Sequence, residues 1–113
     1  MDELIVTRII DEYFVCFQRK DILGLQNLVA TDVTLHDWET KAIGLDNFLA
    51  ANQTIFEQFN EITIKRLTTD IVSKKVFCLI EITLDDLEPI KVMDIIELTE
   101  QGKIILVDAY RQF

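Results

Sequence analysis

Apolar residues recur every three or four positions through Val6, Ile9, Ile10, Tyr13, Phe14 and Phe17, which places them on one side of an amphipathic helix. Asp21 can cap a second, shorter helix with Ile22, Leu25, Leu28 and Val29 on one face; Gly24 weakens it, and Thr31-Asp32 reads as its exit. From Val33 the pattern alternates, with Val33, Leu35 and Asp37 on one side of a short strand and Thr34, His36 and Trp38 on the other. Gly44 punctuates the chain before Leu45, Phe48, Leu49, Asn52, Ile55, Phe56 and Phe59, the spacing of a third helix. After Asn60 the chain turns β-branched, with strand-like runs at about 62–72, 76–84, 90–99 and 103–113. Ser73-Lys74-Lys75, Asp85 to Pro89 and Glu100-Gln101-Gly102 separate these runs as short turns suited to antiparallel hairpins.

Helices gathered first and strands afterwards predict an α+β layer fold, in which about three helices cover one face of a curved antiparallel sheet made of the four later runs and the Val33 strand. At 113 residues, 1–113 reads as one domain around one core. Half of the residues are hydrophobic and one is proline, so the chain can bury enough surface to offset the entropy of ordering. No apolar run reaches the ~20 residues of a bilayer span, and Asp2 and Glu3 replace a basic leader, which predicts a cytoplasmic protein away from membranes. A net charge of -9, with no basic aromatic groove, argues against nucleic acid as a partner. Cys16 and Cys78 lie inside apolar runs and read as small core residues. One histidine and three scattered glycines offer neither a metal site nor a phosphate loop, so no metal or cofactor is expected.

Candidate chemistry begins with Asp94, which interrupts the apolar file Ile90, Val92, Ile96 and Leu98. A carboxyl in such surroundings is costly to ionise and can persist as a neutral hydrogen-bond donor; a solvent-facing or ion-paired acid is the alternative. Asp37 ends the earlier strand on the Leu35 side, where it can act as a base at a cavity rim or simply form a turn. Tyr13 lies on the apolar face of the first helix, where a buried hydroxyl needs a partner. His36 points away from Asp37 unless a bulge turns it inward. Tyr110 and Arg111 fall on opposite faces of the last strand, and Tyr110 is taken as the cavity liner. Ile105, Val107, Ala109 and Phe113 then form an opposite apolar face suited either to a homodimer or to packing under the helices.

The stretch Tyr13-Phe14-Val15-Cys16-Phe17, followed by Asp21, Leu28, Asp32-Val33-Thr34 and Asp37, resembles the opening of ketosteroid isomerases and the wider SnoaL-like, NTF2-like superfamily. Val92-Met93-Asp94-Ile95-Ile96-Glu97-Leu98, with Gly102-Lys103-Ile104, resembles the same family's penultimate hairpin, so the likeness spans nearly the whole chain. The resemblance implies a cone of sheet and helices around an apolar pocket for a small hydrophobic ligand. In that family a tyrosine and a protonated aspartic acid form an oxyanion hole and a second aspartate shuttles the proton; by motif position Tyr13 and Asp94 match the hole and Asp37 the base. Phe17, Phe56, Val92, Trp38 and Tyr110 are the candidate substrate-binding residues, with Trp38 standing where those isomerases typically carry proline. The reaction implied is cofactor-free proton transfer on a small apolar carbonyl compound, as an isomerase or cyclase. The alternatives are a ligand-binding or dimerisation module without turnover, and a dehydratase or epoxide hydrolase.

Overall fold

In the computed structural model, which describes Met1–Phe113, helix α1 spans Glu3–Gln18 and starts at Asp2, whose carboxylate accepts a hydrogen bond from the Ile5 amide at 3.0 Å. Helix α2 (Ile22–Leu28) is capped by Asp21, which accepts from the Gly24 amide at 2.9 Å. A Cβ on Gly24 would lie 2.6 Å from both Asp21 Oδ2 and Cys16 Sγ, so the glycine that weakens the helix permits the close approach of its own cap. Strands β1 (Val29–His36) and β2 (Lys41–Ile43) precede helix α3 (Leu45–Gln58), and strands β3 (Ile62–Val72), β4 (Lys75–Leu84), β5 (Ile90–Leu98) and β6 (Ile104–Arg111) complete the chain.

These strands form one curved, open sheet in the order β2-β1-β6-β5-β4-β3. The four later strands pair antiparallel in sequence, as their short turns dictate, but β1 joins β6 in parallel, which makes the sheet mixed rather than wholly antiparallel. That pairing follows from the long excursion between β1 and β6, which lets the last strand return beside the first in the same direction. Two further details depart from the sequence expectation. Strand β1 begins at Val29, because Val29 pairs with Ile104 and tertiary pairing takes Val29 to Asp32 from the end of α2. The three-residue β2 arises because the chain folds back after Asp37 and pairs Leu35 with Ala42.

Register fixes which side chains face the helices. Cys78 pairs with Asp94 and Asp94 with Ala109; Ile80 pairs with Val92 and Val92 with Arg111; all six therefore share the inner face. Val33, Leu35, Val76, Ile96 and Val107 are buried on that face, against Val6, Ile10 and Phe14 of α1, Leu25 of α2 and Phe48 and Phe56 of α3. Each such fully buried apolar side chain stabilises the fold by roughly 1.5–3 kcal/mol. Irregular register at Arg66/Thr68, Glu97/Leu98 and Val29/Thr34 bends the strands around the helices.

The faces of β6 are the reverse of the sequence expectation. Val107 and Ala109 point to the helices while Tyr110, opposite Met93, points outward, because the core takes the apolar file of the strand. Ile105 occupies the bulge, and Phe113 lies beyond the strand, 92% exposed. The outer face instead carries half-buried Phe77, Leu79, Met93, Ile95 and Leu106. No helix is long and apolar enough to cross a membrane.

Candidate functional site

Asp94 occupies the centre of the inner face, on β5 between β4 and β6, and is 7% exposed. Its neighbours on both sides are small, Cys78 and Ala109, so the side chain has no cation to pair with across the sheet. Burial, and then the charge of Asp37, push the Asp94 carboxyl up to about 7. The Tyr13 hydroxyl is held well above the usual phenol range by burial and then by the charge of Asp94, so it remains a donor at every physiological pH. No hydrogen bond contributes to either shift. The one side-chain nitrogen or oxygen that is both fully enclosed and unpaired is Arg111 Nε.

Asp37 enters this arrangement from the end of β1. His36, the last residue of β1, pairs with Asp108, so the chain leaves the strand at Asp37 close to Ala109, the partner of Asp94, and the charge of Asp37 reaches the Asp94 carboxyl. With strands about 4.8 Å apart, the two carboxylate-bearing backbones stand on the order of 10 Å from each other across β6. Asp37 also forms a turn: Oδ1 accepts from the Glu39 amide at 2.8 Å and the Thr40 amide at 2.7 Å. Oδ2 takes no part in that turn.

The remaining candidates separate into three groups. Phe17 and Phe56 meet edge to face, ring centroids 5.2 Å apart, and join α1 to α3; Tyr13 meets Phe14 similarly at 5.3 Å. Val92 is buried on the inner face one alternation from Asp94, and Trp38, 38% exposed, lies at the β1–β2 turn beneath the Arg111 guanidinium. Tyr110 is 56% exposed on the outer face and donates a hydrogen bond to Asp108 Oδ2 at 2.9 Å, so it lies on the other side of the sheet from Asp94. His36 shares that outer face, its Nδ1 3.7 Å from Asp108 Oδ1; no bulge turns it inward.

Two inward residues, one on α3 and one on β6, escape a reading based on candidate acids. Asn52, inside the apolar stripe of α3, is buried and donates to the Phe48 carbonyl at 2.9 Å; an amide where the helical period calls for an apolar residue is the signal that marks it. Arg111 faces inward once the β6 alternation is set by Val107 and Ala109. Hollows of about 420 Å³ beside Ile43 to Asn47 and about 160 Å³ beside Phe14 and Arg66 open elsewhere on the surface, and neither is lined by Tyr13, Asp37 or Asp94. No cluster of three or more histidine, cysteine, aspartate or glutamate side chains is arranged to hold a metal ion, and both cysteines are free and buried.

Several solved structures share this architecture. A candidate SnoaL-like polyketide cyclase from Jannaschia sp. CCS1 superposes with a TM-score of 0.85 at 11% identity, over 97% of this chain and 87% of that one. A candidate ketosteroid isomerase from Kribbella flavida gives 0.83 at 16% identity, over 96% and 78%. An LEH-like epoxide hydrolase of M. tuberculosis gives 0.81 at 12% identity, over 96% and 84%. Identities this low speak to the fold alone. No curated protein sequence matches the chain. The sequence profile of the SnoaL-like domain matches residues 10–107, nearly the full span from α1 to β6, and the chain belongs to that family, within the NTF2-like superfamily.

Proposed function

We propose that the inner face of the sheet binds a small, largely apolar carbonyl compound and moves a proton on it without a cofactor. The observation that carries this reading is the Asp94 carboxyl, buried among apolar residues with no partner and electrostatically coupled to both Tyr13 and Asp37. Below about pH 7 it keeps its proton and donates a hydrogen bond, as the Tyr13 hydroxyl does. Two such donors aimed at one ligand oxygen favour the enolate over the ketone, because hydrogen bonds to the more negative oxygen are stronger. On a β,γ-unsaturated carbonyl compound Asp37 Oδ2 removes the proton α to the carbonyl, the electron pair moves into a dienolate whose oxygen is held by Tyr13 and Asp94, and return of the proton to the γ carbon completes an isomerisation to the conjugated enone. The names of the Kribbella and Jannaschia neighbours agree with this class of chemistry.

A second reading, binding without turnover, is favoured by the Asp37 turn, since a carboxylate that orders Glu39 and Thr40 already serves a structural purpose. A catalytic part for His36 is disfavoured by its place on the outer face. The half-buried outer residues Phe77, Leu79, Met93, Ile95 and Leu106 support a homodimer formed by sheet faces. The test combines calorimetry with an absorbance assay for enone conjugation. Phenols, which imitate the enolate, bind the wild type and bind Tyr13→Phe and Asp94→Ala more weakly, whereas Asp37→Asn retains binding and loses turnover. Equal phenol affinity in all variants with no enone turnover refutes the catalytic reading.

A further inference from the structure

We propose that Arg111 anchors a carboxylate on the ligand, so that the compounds taken by the Asp37, Asp94 and Tyr13 site are apolar carbonyl acids rather than neutral carbonyls. The proposal rests on the binding reading above and names its substrate class. Arg111 stands opposite Val92 and two residues beyond Ala109, one alternation along the inner face from the Ala109–Asp94 pair. Diagonal neighbours of this kind lie about 7–8 Å apart, the span of a small ligand held at both ends.

Among the basic residues its situation is singular. Arg66 pairs with Asp11, Lys74 with Glu100, Lys20 with the Phe59 carbonyl and Lys103 with the Asn27 carbonyl. Arg8, Arg19, Lys41, Lys65, Lys75 and Lys91 are exposed to water. Arg111 is half-buried and meets no carboxylate, in a chain where Asp and Glu number 20 against 11 Lys and Arg. Its guanidinium lies over the Trp38 ring at 5.9 Å and the Phe113 ring at 4.8 Å from the centroids, and its Nε is enclosed with no acceptor. Aromatic contacts fix the guanidinium plane and strip it of water while leaving its in-plane donors unsatisfied. A planar carboxylate satisfies such a donor edge with two parallel hydrogen bonds. One cation on the face that carries Asp94 suits a monoanion better than the two charges of a phosphate. Trp38, which departs from the isomerase pattern at the mouth, thereby acquires a role, because its ring positions the arginine.

The test compares 3-(4-hydroxyphenyl)propanoate with its methyl ester, two phenols that differ at the carboxylate, by calorimetry at about pH 6. The wild type binds the acid at least about tenfold more tightly than the ester, Arg111→Gln brings the ratio close to one, and Arg111→Lys restores part of it, because lysine supplies charge without the fork. In a ¹⁵N-resolved spectrum the Arg111 Nε–H resonance shifts on adding the acid and not on adding the ester. Equal affinity for acid and ester in the wild type, with both weakened by Tyr13→Phe, overturns the arginine anchor and leaves the donor-pair reading standing. An acid preference that depends on Arg111 while Tyr13→Phe changes nothing supports the anchor and refutes the donor pair. Failure of both probes to bind overturns both.

Discussion

Replacing Asp94 with asparagine removes an ionisable group while keeping its size, and the structure fixes the sign and scale of the effect on stability. The carboxyl is raised from 3.8 to about 7 by folding, mainly through burial. Below about pH 3.8 the folded and unfolded chains both hold this proton and the group contributes no pH dependence. Between 3.8 and about 7 the unfolded chain releases the proton and the folded chain retains it, so wild-type stability falls by ~1.36 kcal/mol per pH unit. Above about 7 both forms are ionised and the slope disappears. Relative to Asp94→Asn, the wild type therefore loses about 2.7 kcal/mol between about pH 5 and pH 8, and all other titrating groups cancel in the comparison. Urea unfolding of the two proteins across that range measures it directly. At a slope near ~1.5 kcal/mol per molar, the gap between their midpoints widens by roughly 2 M. A constant gap across the range would show that Asp94 titrates like an exposed carboxyl and would remove the basis for its role as a neutral donor.

Three further outcomes follow from the same geometry. Asp37→Asn keeps an oxygen for the Glu39 and Thr40 amides but removes the charge that raises Asp94, so the Asp94 titration followed by carbon NMR shifts below about 7 yet stays above 3.8, since burial is the larger cause; an unmoved midpoint contradicts the reach of the Asp37 charge to Asp94. Ala109→Leu fills the space beside Asp94, costs about 1–3 kcal/mol in thermal melts, and weakens phenol binding at least about tenfold by calorimetry; unchanged binding places the ligand elsewhere. Leu79→Glu on the outer face converts a dimer to a monomer in light scattering, and a wild type that is already monomeric at high concentration refutes the sheet-face dimer.

Periodicity by itself determined the three helices, the four long strands and the inward file of β5 with Asp94 in it, because helical and strand repeats are local properties that burial merely confirms. The cap at Asp21 was equally legible, since it involves only neighbours in sequence. Pairing was another matter. The parallel union of β1 with β6 joins residues some seventy positions apart, and nothing local distinguishes it from an antiparallel one. That union also shapes the candidate site: it brings the end of β1, and with it Asp37, within electrostatic reach of Asp94. The alternation of β6 was visible, but its phase was not, because a strand with apolar residues at both Leu106 and Val107 can present either file to the core until a partner and a bulge set the register. Setting it moved Tyr110 out to Asp108 and brought Arg111 in over the rings of Trp38 and Phe113, a meeting of Arg111 and Trp38 that depends on the tertiary fold alone.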